Sequence, residues 1–381
     1  MLTFSTGNKA VATAVKDAKT VVVAAYPITP QTEVVEETAN NVASGALKAR
    51  YIPVESEHSS MGACIGAAAT GVRTFTATSS HGLVYMCEQI HMSAAARLPI
   101  VMANANRALG PGWNIGAEHT DSMSMRDSGW LQAYVSTVQE AYDTTLMAFR
   151  IAENENVLLP VMINLDGFLL THITQPMDTI DDLGDYLPPT NTPHAIDINN
   201  PGGYGTLTPP TEHFKFRHDI QRGMKDSVAV IEDAQADFAK RFGRKYGMYE
   251  EYLCDDADVV IVAAGTLAKE SEVAADILRK EGIKAGVLRI RWFRPFPDLT
   301  AALKGKDVVV IDRDYSFGLG GILVNEIRTK AFEAFIGIDG KANLPFSVIA
   351  GLGGQEVTYD DIADFVRNRK SGGELWFGVT E

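Results

Sequence analysis

Thr20-Val21-Val22-Val23-Ala24-Ala25 runs without a break into Tyr26-Pro27-Ile28-Thr29-Pro30. The first stretch is short, apolar and rich in β-branched residues, which reads as a parallel strand buried on both faces. Pro27 and Pro30 then fix φ twice and stiffen the turn. Thr29 and Pro30 suit the N-cap and first position of a helix beginning at Gln31. Strand, stiff turn and helix in that order open a doubly wound α/β domain. The pattern recurs outward. Strand signals fall at 49–54, 73–78, 99–104 and 157–164. Helical stretches fall at 8–19, 31–43, 59–70, 83–96 and 139–152.

The texture changes after Asp166. Pro, Asn, Asp and Gly crowd the segment from Thr171 to about Pro210, and it reads as a long irregular excursion over the surface. Residues 218–246 read as a linker helix, whose cationic end (Lys240, Arg241, Arg244, Lys245) suits a helix C-terminus. Strand signals resume at 258–264, 285–290, 307–312 and 346–350, with a closing helix at 359–369. The expected organisation is one domain over 1–245, carrying the excursion at 171–215 and the linker helix, and a second α/β domain over 255–381.

Composition narrows the function. The 381 residues carry 34 Lys and Arg against 48 Asp and Glu, a formal charge of −14, and 46 % are apolar. That is enough for two ordinary cores, and too acidic for broad binding to nucleic acid. Cys64, Cys87 and Cys254 form no CxxC pair, so neither a disulfide framework nor a four-thiolate iron–sulfur site fits within this chain. They read as free thiols in a reducing compartment. With no apolar run approaching 18 residues and no cationic lead-in, a soluble cytoplasmic protein without a membrane span is expected.

Several polar groups fall at strand ends, where α/β folds bind ligands. Thr29 follows the first strand: either a plain helix start or a hydroxyl with free N–H groups, suited to a carboxylate. Glu55 and Glu57 precede a small-residue helix whose Gly62, Ala63, Gly66, Ala67 and Ala68 suggest close approach of another backbone. Glu57 is either a capping residue or a carboxylate held at a helix N-terminus. His81, in the polar loop at 76–82, is either a site residue or an ordinary exposed histidine. Arg107 is a candidate carboxylate clamp or a structural ion pair. His119 with Asp121 has too few partners for a metal site. Gly318 to Gly321 and Gly351 to Gly354 do not complete a dinucleotide fingerprint, which argues against NAD.

YPITP at 26–30, ESEHSSMGACIGAAATGVRTFTATSSHGL at 55–83, NRALGPGWNIGAEHTDSMSMRDSGW at 106–130, NLDGF at 164–168 and GLGGQEVT at 351–358 carry a resemblance. In order, and over nearly the whole chain, they resemble the α subunit of the multi-subunit 2-oxoacid:ferredoxin oxidoreductases. The resemblance implies a thiamine-diphosphate-binding fold, here a pyrimidine-binding domain, followed by a transketolase C-terminal-like α/β domain. It implies oxidative decarboxylation of a 2-oxoacid with coenzyme A, giving acyl-CoA, carbon dioxide and reduced ferredoxin. Glu57 matches the family glutamate that hydrogen-bonds the aminopyrimidine N1′ of thiamine diphosphate. That bond favours the tautomer that deprotonates the thiazolium C2. Thr29 matches the threonine at the substrate carboxyl end, Arg107 the arginine that binds it. His81 is carried over as a neighbour of the cofactor, and the loop Gly110 to Asp121 as a neighbour of the substrate.

The departures and omissions carry their own expectations. Many pyruvate-using relatives resemble S-A-P or A-A-P after the NRAL motif. This chain has Gly110-Pro111-Gly112, then Gly116-Ala117. Small side chains there are expected to leave room, which sets an aromatic or branched 2-oxoacid such as phenylglyoxylate beside pyruvate. No G-D-G…N stretch for diphosphate and Mg²⁺ is present. The resemblance therefore implies a β subunit that completes the thiamine diphosphate site, with γ and ferredoxin-like δ subunits. Mg²⁺ and the [4Fe–4S] clusters would sit on those partners, and no metal on this chain. A self-sufficient transketolase-like enzyme and a non-catalytic assembly subunit stay open as alternatives.

Overall fold

The computed structural model describes residues 2–190, 192–199, 201, 205, 207–337 and 340–380. β1 (Leu2–Ser5) and α1 (Gly7–Asp17) precede the apolar run, which forms β2 (Val22–Ala25). α2 (Thr32–Ala43), β3 (Arg50–Pro53), α3 (Glu57–Ala69) and β4 (Thr74–Thr78) follow. Two helices, α4 (Ser80–Tyr85) and α5 (Cys87–Ala95), stand where one was expected, and lead into β5 (Ile100–Asn106). α6 (Thr120–Met123), β6 (Leu131–Val135), α7 (Val138–Ala152) and β7 (Val161–Asp166) come next, then β8 (Gln175–Asp178), α8 (Pro210–Phe242) and β9 (Tyr249–Tyr252). The rest runs β10 (Val259–Ala264), α9 (Leu267–Lys280), β11 (Ala285–Ile290), β12 (Trp292–Arg294), α10 (Thr300–Leu303) and β13 (Asp307–Asp312). α11 (Ile322–Lys330), β14 (Phe346–Ile349), α12 (Tyr359–Arg367) and β15 (Glu374–Trp376) close it.

Two sheets organise these elements. One has seven strands in the order β12-β6-β7-β5-β4-β2-β3, the other six in the order β15-β14-β13-β10-β11-β9. Every pairing is parallel except β12 on β6 and β9 on β11. In the first sheet alternate residues face opposite cores, as a pleat requires. Val23, Phe75, Val101 and Ile163 pack with the residues of α1 and α7. Ala24, Ile100, Met102 and Met162 pack with Met61, Cys64 and Ile90 on the other side. Helices on both faces explain why β4, β5 and β7 are buried along their whole length.

The strand order places the ligand end. In the first sheet β2 has β3 on one side and β4 on the other, so the chain reverses direction across the sheet at the β2/β4 gap. In the second the same happens between β10 and β13. Open α/β sheets bind ligands at the carboxyl ends of such gaps.

Several expectations are corrected. Thr29 is not an N-cap: α2 starts at Thr32 with Gln31 before it. The Gln31 side chain turns inward and donates to Tyr26 O at 2.8 Å and Ala77 O at 3.1 Å, bridging the β2/β4 gap. The Gly62 and Gly66 positions of α3 meet no backbone of this chain within 4 Å. Of the small-residue face only Ala68 is buried, alongside Glu57, Ser60, Met61, Cys64 and Ala69. α8 starts eight residues earlier than the linker helix read at 218, since a proline fits its first turn, and ends before Gly243 at φ 74°. The excursion is not wholly irregular. β8 pairs with β1, and Thr190 and Ile196 bond to Gly71 O and Ala69 O. The part of it at 191, 200, 202–204 and 206 lies outside the described residues. β12, from the second half of the chain, completes the first sheet.

Candidate active site

The carboxyl ends of the central strands form a polar row built by register. Thr78, Asn104, Asn164 and Tyr134 are cross-strand partners on β4, β5, β7 and β6. One step further, Asn106 pairs with Asp166. All six are buried. Polar groups placed so regularly at one end of an apolar sheet need partners; Asn104, Asn106 and Tyr134 find them in Asp121 and Ser122 above the sheet, while the Thr78 hydroxyl has none among the described residues.

Arg107 follows β5 directly. Its Nη1 donates to the Thr29 carbonyl at 2.7 Å, joining the loops after β5 and β2. Burial lowers the guanidinium's pKa, and the nearby Asp121 carboxylate opposes that. Thr29 itself is exposed. Gly167, after β7, lies on the same turn: a Cβ there would meet Pro30 Cγ at 3.0 Å and Asn106 O at 2.5 Å.

Glu57 is the first residue of α3, behind Ser56, whose hydroxyl caps Ser59 N at 3.2 Å. The Glu57 side chain is 8 % exposed, and none of the hydrogen bonds among the described residues reaches its carboxylate. It packs against Gly82. A Cβ on Gly82 would stand 2.6 Å from Glu57 Oε1 and 2.7 Å from Thr78 Oγ1. The Thr78 and Ser79 hydroxyls are also buried without a hydrogen-bond partner. His81 sits beside them. Its Nε2 accepts from Gly110 N at 3.1 Å, its Nδ1 lies 3.2 Å from Ser80 Oγ, and Trp113 covers it at 4.7 Å between ring centres.

The four residues singled out from the sequence thus fall into two pairs of contacts: Thr29 with Arg107, and Glu57 with the His81–Gly82 turn. Asp121, read from the sequence as half of an inadequate metal pair and as the end of a loop near the substrate, lies between them. It is buried, and its carboxylate accepts from Ser80 N at 3.0 Å and Arg107 N at 3.1 Å. Sequence offered one signal for it, its place inside the long motif at 106–130. Among the described residues no group of three or more His, Cys, Asp and Glu is arranged to hold a metal ion.

A second cluster joins the two sheets. Asp166, at the end of β7, accepts from Thr266 N and Oγ1, both at 2.6 Å, and pairs with His119 Nε2 at 2.6 Å and Arg313 Nη1 at 3.1 Å. Thr266 follows β10 and Arg313 follows β13, so the carboxylate enters the second sheet's gap. Burial alone would raise its pKa. Arg313 and His119 outweigh that and hold it well below the usual carboxylate range. Nearby, a Cβ on Gly116 would stand 2.1 Å from Gly353 O, and Gly354 N donates to Ala117 O at 2.9 Å. The space left by these small residues is therefore taken by the Gly351 loop. That corrects the expectation that Gly116 and Ala117 enlarge a pocket.

Comparison with known proteins decides the family. Residues 13–236 match the family described as pyruvate flavodoxin/ferredoxin oxidoreductase, thiamine diphosphate-binding, and residues 257–362 match pyruvate:ferredoxin oxidoreductase core domain II. The chain belongs to the 2-oxoacid:ferredoxin oxidoreductase family, as an α-type subunit. Among relatives of this oxidoreductase family, it is 42 % identical to ketoisovalerate oxidoreductase subunit VorA of Pyrococcus abyssi, over 96 % of this chain and 92 % of that one. It is 42 % identical to pyruvate synthase subunit PorA of Methanothermobacter thermautotrophicus, over 98 % and 97 %. The fold matches the 2-oxoglutarate:ferredoxin oxidoreductase of Magnetococcus marinus with a TM-score of 0.71 at 23 % identity, over 96 % of this chain and 65 % of that longer one. A split-gene transketolase matches with a TM-score of 0.54 at 14 % identity. These likenesses fit the thiamine-diphosphate-binding fold expected from the motifs. No helix among the described residues is long and apolar enough to cross a membrane.

Proposed function

We propose that this oxidoreductase subunit holds the aminopyrimidine end of thiamine diphosphate and the carboxylate end of a 2-oxoacid, and acts within a heteromeric complex. The observation that carries the reading is Glu57: a mostly buried residue whose carboxylate has no hydrogen bond among the described residues, against a glycine whose missing side chain leaves its oxygen approachable. An acceptor left open at the edge of a buried polar row fits a ligand N–H. Thr78 and Ser79 add unpartnered hydroxyls on the same side. The pyrimidine end of the cofactor therefore fits these residues. The bound cofactor would supply a carbanion-stabilising thiazolium. The chain's own part is to hold the Glu57 carboxylate at the pyrimidine nitrogen and to keep water from it.

Arg107 is placed to pair with the substrate carboxylate, with Thr29 beside it. Its Nη1 is anchored on Thr29 O, which fixes the direction of the remaining guanidinium donors. The reaction is R–CO–COO⁻ with the thiol of coenzyme A to acyl-CoA, carbon dioxide and one proton, two electrons leaving one at a time to iron–sulfur clusters. A β subunit would complete the diphosphate and Mg²⁺ end, and γ and ferredoxin-like δ subunits would hold coenzyme A contacts and clusters, in the cytoplasm. The word "subunit" in the relatives' names supports this division.

For the substrate, pyruvate and branched 2-oxoacids take precedence, since relatives named for each are equally similar. Phenylglyoxylate loses part of its support with the filling of the Gly116 space. Gly112, which meets nothing within 4 Å, is what remains. Copurification of the native complex, followed by coenzyme A-dependent turnover of pyruvate, 3-methyl-2-oxobutanoate and phenylglyoxylate, tests the reading. A clear preference for one of the two aliphatic acids is expected. Turnover of none of the three contradicts it.

A further inference from the structure

We infer that Asp121 is a positioning residue that locks the cofactor-side turn and the substrate-side arginine into one geometry. This rests on the reading of Glu57 and Arg107 just given. Asp121 is completely buried. Its two oxygens accept five N–H groups: Ser80 N, Arg107 N and Asn104 Nδ2 on Oδ2, and Asn106 Nδ2 at 2.8 Å and Ser122 N at 2.7 Å on Oδ1. Among the described residues no salt bridge reaches it, so these five N–H groups hold it, with the Arg107 guanidinium near enough to feel its charge.

The Oδ2 atom does what a local cap does not. It joins main-chain amides from two loops that follow different strands. Ser80 has φ 51°, a left-handed conformation unfavourable for a residue with a side chain, and so needs an external hold. A second tie runs between the same loops, from Ser80 Oγ to Ala108 O at 2.5 Å. The turn held at Ser80 carries His81 onto Gly110 and Gly82 onto Glu57. The amide held at Arg107 sets the start of the arginine side chain. Moving one oxygen moves both halves of the site.

Chemistry separates this from a merely structural role. In Asp121→Asn the carbonyl oxygen can occupy the Oδ2 position and keep the Ser80 and Arg107 amides bonded. The NH2 then faces Asn106, whose side chain can turn, and the Ser122 amide, whose bond to Oδ1 is lost while the two bonds that join the loops stay. Asp121→Ala removes the bonds to both amides and leaves only the Ser80 Oγ to Ala108 O tie between the loops. In the assembled complex, Asp121→Ala is expected to raise the KM for the 2-oxoacid and the Kd for thiamine diphosphate together, each about tenfold or more. The thiamine diphosphate Kd is measured by calorimetry. Asp121→Asn is expected to restore both to within about threefold. If Asp121→Ala does not assemble, Asp121→Ser, too short to reach either amide, is read the same way. A lowered melting temperature with KM and Kd unchanged in the remaining sites overturns the inference. So does failure of Asp121→Asn to restore them. If the wild-type complex turns over no 2-oxoacid, the functional reading fails, while the thiamine diphosphate Kd still tests the Asp121 coupling.

Discussion

Glu57 and Gly82 work as one unit. A methyl group at Gly82 would overlap the Glu57 carboxylate and the Thr78 hydroxyl, so Gly82→Ala is expected to displace Glu57 while leaving the sheet intact. Thiamine diphosphate affinity measured by calorimetry should fall by about tenfold or more, as for loss of one hydrogen bond to a charged group. Arg107→Ala should raise the KM for the 2-oxoacid by about 10- to 100-fold, on the same scale for a charge-assisted pair, with cofactor affinity little changed. Steady-state kinetics read this directly. Burial pushes the Cys64 thiol up to about 12 and the Cys254 thiol up to about 11, so both should resist alkylation at neutral pH. Mass spectrometry after iodoacetamide checks it. Glu57, Thr29 and Arg107 were legible in the sequence because they end strands and sit inside long motifs. Gly82 and Asp121 lie in the same motifs, but their roles depend on contacts of 25 and 41 residues' separation (Glu57 to Gly82, Ser80 to Asp121), and no local pattern encodes those.

At the level of elements, the two gaps in strand order decide where chemistry collects. The loops after β2 and β4 carry Thr29 and His81, and those after β10 and β13 receive Asp166. The alternation of strands and helices made this topology legible from the β-branched runs. β6 was missed. Its Leu131, Ala133 and Val135 face the core, while Gln132 turns back to Ser122 O, so a period of two was present. Five residues with a glutamine inside them gave it too little contrast against the polar loop before it. The Gly116 contact is another matter of packing between elements. A side chain there would collide with Gly353 O, and Gly353 cannot retreat without losing its bond to Glu118. Gly116→Ala should therefore destabilise the chain by about 1–3 kcal/mol, as overpacking does, and thermal unfolding would show it.

Across the whole molecule, buried ion pairs join what the sequence presents as two halves. Glu140 on α7 meets Arg289 Nη1 at 2.9 Å and also bonds Arg291, both on or beside β11. Burial would raise the Glu140 pKa. The two arginines win and lower it from 4.5 to about 2. A carboxyl depressed on folding contributes its stability fully above its unfolded value and loses it as pH falls through the folded one. Glu140→Gln should cost about 3 kcal/mol at neutral pH, because two buried arginines lose their buried counter-charge and keep only the partly exposed Glu250. The gap between wild type and variant should narrow as pH drops from about 4.5 towards 2, where the wild-type carboxyl is itself protonated. Chemical denaturation at a series of pH values measures it. Neither this pair nor Asp166 with Arg313 was legible in advance, since nothing in a single sequence marks which charges will meet across 149 or 147 residues.

The central claim is that this chain supplies the carboxylate that activates thiamine diphosphate in the assembled complex. Glu57→Gln keeps the size of the side chain and removes its charge. The variant complex should assemble with all its partner chains and release carbon dioxide from the 2-oxoacid at least about 100-fold more slowly, on the scale of a lost general acid–base group. Unchanged turnover in a fully assembled Glu57→Gln complex would contradict the account.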